Sequence, residues 1–200
     1  MTEALVVALA YLLGSIPFAF LAGRARGIDL RLVGSGNLGA ANVFRTLGRG
    51  MGIGVMAADI LKGVVAVVIA RALTDDPWPA IAAGAAMAGH VYPVWLRFKG
   101  GKGVAVGGGA VIGLMPLAAL ILLALWALTV AVTRYTSLAA IVGALVATPL
   151  VWALGYPVSN VIFTGLACTA VLVLHRGNLR RLLRGQELRI EFRRARRAGA

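Results

Sequence analysis

Seven apolar stretches separated by polar islands run the length of the chain. Residues 4–23 are apolar enough to cross a bilayer, which takes about 20 residues. Further stretches lie at about 51–72, 78–96, 104–114, 117–132, 138–154 and 158–174. The pattern predicts an all-α integral membrane protein with seven transmembrane helices, two of them short. It reads as one domain over residues 1–200, with a basic C-terminal tail from about 183. Glu3 in front and arginines behind are the wrong flanks for a secretory signal, so the first stretch is kept as a helix. Pro17, in Gly14-Ser15-Ile16-Pro17, should kink it, with Ser15 bonding back to its own helix. Met115-Pro116 divides residues 104–114 from 117–132. Two short antiparallel helices are expected there, with a re-entrant pair as the alternative.

The islands are strongly basic. The chain has 20 Lys and Arg against 7 Asp and Glu, yet only 14% of its residues are charged. Eighteen of the 20 cations fall at 24–50, 97–102, 134 and 176–197. The acidic turn Thr74-Asp75-Asp76-Pro77 falls on the opposite side. A cytoplasmic excess of Lys and Arg then places the N-terminus outside and the C-terminus inside. At 60% hydrophobic residues, against roughly 45–50% for a soluble domain, and a mean hydropathy of +0.89, nucleic acid is not an expected partner. The tail should begin as a helix on the anionic leaflet. Cys168 alone cannot form an intrachain disulfide or a cysteine metal cluster. Asp59 and Lys62, three apart on one helical face, read as a buried ion pair joining helices.

One island has no packing explanation: Gly34-Ser35-Gly36-Asn37-Leu38-Gly39-Ala40-Ala41-Asn42-Val43-Phe44-Arg45. Glycines permit close backbone approach, Ser and Asn supply hydrogen bonds, and Arg supplies a fork for phosphate. Lys102 stands between Gly101 and Gly103, whose backbone could form an anion-binding nest. Ser137, His175 and Asn178 lie at the same expected membrane face. Convergence of these helix ends would make a phosphate pocket. Gly34-x-Gly36-x-x-Gly39 mimics a dinucleotide fingerprint but follows no strand, and Gly101-Lys102-Gly103 lacks the rest of a P-loop. Two histidines, His90 and His175, make a weak case for a metal, and His90 reads as a hydrogen-bonded structural group.

The ordered set of motifs carries a resemblance. Gly14-Ser15-Ile16-Pro17, the 34–45 island, Asp59-Ile60-Leu61-Lys62-Gly63, Gly89-His90-x-Tyr92-Pro93 with Phe98-Lys99-Gly100-Gly101-Lys102-Gly103, and His175-Arg176-x-Asn178-x-x-Arg181-Leu182 come in order and spacing. Together they resemble the PlsY family, the acyl-phosphate:glycerol-3-phosphate acyltransferases of bacterial membranes. Ala41 departs from the Thr usual in that family, which removes one hydroxyl.

The resemblance implies transfer of a fatty acyl group from acyl phosphate to the 1-hydroxyl of glycerol 3-phosphate. Lysophosphatidic acid and phosphate would be the products. It implies a site facing the cytosol in the bacterial inner membrane, membrane lipids as partners, no cofactor, no metal and a monomer. Ser35, Arg45, Lys102 and His175 would be catalytic. Gly36, Asn37, Asn42, Gly101, Gly103, Ser137 and Asn178 would bind substrate. Phosphate, with a second pKa of about 6, is a good leaving group. The hydroxyl proton could pass either to His175 or to a substrate phosphate oxygen. The acyl chain should enter sideways between helices, beside glycines 107–109. A transporter of a small phosphorylated solute is the rival reading, although the cations sit on one face and no repeat is apparent.

Overall fold

The computed structural model describes residues 1–191. It is helical throughout: α1 Thr2–Gly14, α2 Phe18–Arg24, α3 Ala40–Thr46, α4 Arg49–Leu73, α5 Trp78–Val91, α6 Val104–Leu114, α7 Pro116–Thr133, α8 Thr136–Ala153, α9 Val158–Leu174 and α10 Arg176–Leu183. Every stretch expected to be a membrane helix is helical. Among the described residues four segments are long and apolar enough to cross a membrane: Thr2–Arg24, Arg49–Leu73, Pro116–Thr133 and Thr136–Ala153. The α9–α10 pair, bent by 54°, makes a fifth if it is one broken span.

Pro17 does break the first segment, and Ser15 Oγ donates to the Tyr11 carbonyl at 2.9 Å. α5 stops at Val91, five residues before its expected end at Leu96. Pro93 disfavours the helical conformation of the residue before it, and Tyr92 sits at φ −122°, ψ 63°. A single 3-10 turn, Val94–Leu96, follows. α3 is an addition, a short helix inside what looked like an uninterrupted loop.

α4 is the central post. A Cβ on Gly63 would strike the Val106 carbonyl, and one on Gly109 would strike the Ile60 carbonyl. Small residues thus let α4 and α6 touch backbone to backbone, the packing membrane helices favour. Gly109 therefore sits in a helix crossing, whereas Gly108 has open space beside it and a side chain at Gly107 would reach only Met87 Sδ, at 3.5 Å. The core is alanine-rich, as with Ala66, Ala70, Ala82 and Ala86. Large apolar side chains such as Leu120, Leu128, Val132 and Trp152 face outward, the inverse of a soluble surface.

Asp59, Lys62 and His90 tie three of these helices together. Lys62 Nζ lies 2.8 Å from Asp59 Oδ1, an electrostatic contact without a well-directed hydrogen bond. It donates to the Ile16 carbonyl at the helix break, at 2.9 Å, and to His90 Nδ1, at 3.0 Å. The expected ion pair is present, and His90 completes it.

Candidate active site

The 34–45 island folds around one amide. Asn42 Nδ2 donates to the Leu30 and Val33 carbonyls, each at 3.1 Å, and Oδ1 accepts from the Ser35 N–H at 2.9 Å. Gly34 and Gly36 take positive φ, 61° and 69°. At Gly34 a side chain would also strike Asn42 Oδ1. Asn42 is fully buried, so its amide shapes the loop and holds Ser35 in place. Ser35 and Gly36 are exposed and Asn37 half-buried. α3 carries Arg45, whose Nε is buried and meets no acceptor among the described residues.

The second island turns back on α5. The Gly100 N–H donates to the Val91 carbonyl (3.0 Å) and the Gly101 N–H to the His90 carbonyl (3.1 Å). Of the backbone expected to form a nest, Gly101 therefore spends its donor inside the loop, while the Lys102 and Gly103 N–H groups have no backbone acceptor among the described residues. Gly101 is required for space instead: a side chain would meet His90 Nε2 and the Leu38 carbonyl. Gly103, at φ 77°, opens α6. Lys102, between them, donates to Asn178 Oδ1.

The third group comes from α8 and the α9–α10 junction. His175 Nδ1 donates to the Val171 carbonyl at 2.8 Å. Nε2 therefore carries the free lone pair of the neutral ring. Burial, and then the Lys102 charge, push the His175 pKa down to about 4. Burial first, then Arg181 and Arg45, push Lys102 down to about 8, against the pull of Glu187. These causes place Arg45, Lys102 and Arg181 within one electrostatic neighbourhood.

At its centre is a residue that sequence reasoning missed. Glu187 accepts from Ser137 Oγ (2.8 Å), Asn178 Nδ2 (2.6 Å) and Arg181 Nε (2.7 Å). Burial raises its pKa, but these three donors outweigh that and hold the carboxyl below its usual range. A signal existed: within residues 176–197, nine arginines flank only two acids, Glu187 and Glu191. After α10 the chain does not continue as a surface helix. It runs extended, with the Ile190 N–H donating to the Arg134 carbonyl at 2.8 Å and Arg189 Nε to Tyr135 Oη at 2.9 Å. The remainder of the basic tail, from residue 192, lies outside the described residues.

An apolar groove of about 630 Å³ lies between α5 and α9. Ile81, Met87, Ile162, Leu166 and Val173 line it. One end is Pro77 and Ser159, the other Tyr92 and Leu174, the neighbour of His175. No group of three or more His, Cys, Asp or Glu suited to a metal occurs among the described residues.

Ser35 and Asn37 make no side-chain hydrogen bond among the described residues. Lys102 meets Asn178, and Ser137 and Asn178 meet on Glu187, with Arg45 and His175 in electrostatic reach of them. The fold and site are those of a helical membrane protein with a cluster of cations near an apolar groove that ends at Leu174, next to His175. The glycerol-3-phosphate acyltransferase family model matches residues 4–185. The chain is 50% identical to the glycerol-3-phosphate acyltransferase of Rubrobacter xylanophilus over 189 residues, covering 94% of each chain. It is 46% identical to that of Geobacter sulfurreducens over 192 residues, covering 96% of this chain and 99% of that one. Among solved structures it resembles PlsY, an integral membrane glycerol 3-phosphate acyltransferase. The TM-score is 0.92 for the glycerol 3-phosphate form, at 38% identity, and 0.89 for the lysophosphatidic acid form, at 37% identity. Both alignments cover 96% of each chain. The chain belongs to the PlsY family of glycerol-3-phosphate acyltransferases, and it is an acyltransferase.

Proposed function

We propose that this enzyme moves a fatty acyl group from acyl phosphate to the 1-hydroxyl of sn-glycerol 3-phosphate, releasing lysophosphatidic acid and phosphate. This is the first acylation of phospholipid synthesis. It takes place in the bacterial plasma membrane, on a single seven-span unit with its N-terminus outside and its pocket facing the cytoplasm. The observation that carries the proposal is the cationic cluster of Arg45, Lys102 and Arg181 beside the end of the α5–α9 groove.

The groove has the size of a small-molecule site, roughly 300–1,000 Å³, and its apolar lining suits an acyl chain. At about 0.8 kcal/mol per buried CH₂ such a chain stays in the membrane. Its phosphate end is then presented beside His175. Arg45, with its unpartnered Nε, and Lys102 bind phosphate oxygens and neutralise charge as the tetrahedral state forms. Loss of one such donor costs roughly 2.7–4 kcal/mol in the transition state.

The hydroxyl oxygen attacks the acyl carbon. The new ester C–O bond forms, the bond from that carbon to the phosphate oxygen breaks, and the electron pair leaves with phosphate. His175 Nε2 accepts the hydrogen bond of the attacking hydroxyl and orients it. With a pKa of about 4 it holds a proton poorly. The proton therefore goes to a phosphate oxygen, whose second pKa is about 6.

A donor panel tests this. Purified enzyme receives glycerol 3-phosphate with palmitoyl phosphate, palmitoyl-CoA or palmitoyl acyl carrier protein. Lysophosphatidic acid is expected from the acyl phosphate alone. Turnover with a thioester but not with acyl phosphate would overturn the donor assignment.

A further inference from the structure

Glu187 puts an anion inside a pocket built for anions, and the site's chemistry as described does not use it. Three cations share that neighbourhood: Arg45, Lys102 and Arg181. One carboxylate among them lowers the net charge of the cluster to +2. The carboxylate is also held still. Gly185, at φ 67°, turns the chain after α10. The Gln186 N–H is fixed to the Arg181 carbonyl at 2.8 Å, and Ile190 is buried against the α7–α8 turn. Glu187 is thus clamped from both sides, its side chain only 5% exposed.

A carboxylate has about four acceptor positions. Ser137, Asn178 and Arg181 fill three among the described residues. The fourth has no donor among the described residues, and a ligand with a hydroxyl can fill it. A glycerol phosphate offers carbinol hydroxyls set away from its charge; inorganic phosphate has only P–OH groups on the charged centre itself, so its approach to a carboxylate is repelled.

Resting on the acyl transfer proposed above, we infer that Glu187 is a specificity-determining residue: it accepts a hydroxyl of the polyol phosphate acceptor and disfavours free inorganic phosphate in the same pocket. Inorganic phosphate is the reaction's own product, so the carboxylate also limits product inhibition. Ser137 and Asn178 act on the acceptor largely through Glu187, by holding its carboxylate in place.

The test is Glu187→Gln, which keeps the shape and removes the charge. Two quantities are measured: KM for glycerol 3-phosphate, and the inhibition constant of inorganic phosphate. A lost hydrogen bond to a charged group predicts a KM about tenfold higher, while inorganic phosphate binds more tightly. The opposite movements are the signature. If both ligands bind more weakly, Glu187 is only a brace. If both bind more tightly, it is a latch that substrate must displace. Either result, or no change in both constants, overturns the inference.

Should the variant fail to fold, the wild type still decides. Thermal unfolding of the wild-type enzyme in detergent is followed with equal concentrations of glycerol 3-phosphate and inorganic phosphate. The polyol phosphate should stabilise it at least tenfold more effectively in concentration. Equal stabilisation overturns the inference. This readout needs no turnover, so it is separate from the failure of acyl phosphate to serve as donor.

Discussion

Raising the pH should switch this enzyme off through Lys102 without unfolding it. Burial and the neighbouring Arg181 and Arg45 charges bring Lys102 from an ordinary 10.5 to about 8. On the proposed mechanism its ammonium binds phosphate, so kcat/KM should fall on an alkaline limb centred near pH 8. The kcat limb, which reports the substrate complex, should lie higher, because a bound anion favours the charged amine. Stability should move the other way. Between about 8 and 10.5 the unfolded chain holds a proton on this lysine that the folded chain has released, so this residue's contribution to stability rises with pH there. Activity and stability therefore diverge over that window. Lys102→Arg keeps a charge that does not titrate, and its residual activity should show no limb near pH 8. Lys102→Ala should lose about 100- to 1,000-fold in kcat. Initial rates of phosphate release across pH 6–10, beside thermal unfolding over the same range, read all of this. A wild-type profile flat through pH 10, or an Arg variant with an unchanged limb near 8, would refute the reasoning.

Other expectations follow from the same geometry. His175→Gln should lower kcat by about tenfold, the scale of one hydrogen bond, and not by the far larger factor expected of an obligatory base. The wild-type rate should show no limb from His175 above pH 5, since its pKa is about 4. Asp59→Asn leaves the buried Lys62 ammonium without its counter-charge and should cost about 3–5 kcal/mol of stability; thermal unfolding in detergent checks it, and an unchanged midpoint would count against the ion-pair assignment. Gly84 lines the groove and has room for a side chain, with Phe163 Cδ2 4.0 Å from its Cβ position. Gly84→Leu should raise KM for palmitoyl phosphate far more than for butyryl phosphate, whereas an equal effect on both would place the chain elsewhere.

Periodicity and charge made the helices and their common basic end legible, because a bilayer imposes long apolar runs and a charge asymmetry that need no tertiary context. Asp59 and Lys62 were readable as a pair from their spacing alone. Arg45, Lys102, Ser137, His175 and Asn178 were legible as chemistry, since polar groups of those types have no apolar packing role. What stayed hidden depended on partners distant in sequence. Asn42 looked like a substrate ligand, but its amide is spent on Leu30, Val33 and Ser35. Gly101 suggested a nest, yet its N–H pairs with His90. Glu187 sits 50 residues from Ser137, and nothing local marks the two as partners. The acyl chain was expected to enter beside glycines 107–109; Gly109 packs on Ile60, whereas a side chain at Gly107 would lie 3.5 Å from Met87 Sδ, which lines the α5–α9 groove.

The pocket itself is tested most directly by an experimental structure with glycerol 3-phosphate and a non-hydrolysable acyl phosphate analogue bound. Oxygens of the acyl phosphate are expected within hydrogen-bonding reach of Arg45 Nε and Lys102 Nζ, with the glycerol 1-hydroxyl toward His175 Nε2 and the groove end at Leu174. An acyl phosphate bound away from both cations, or a 1-hydroxyl turned away from the groove, would contradict the account.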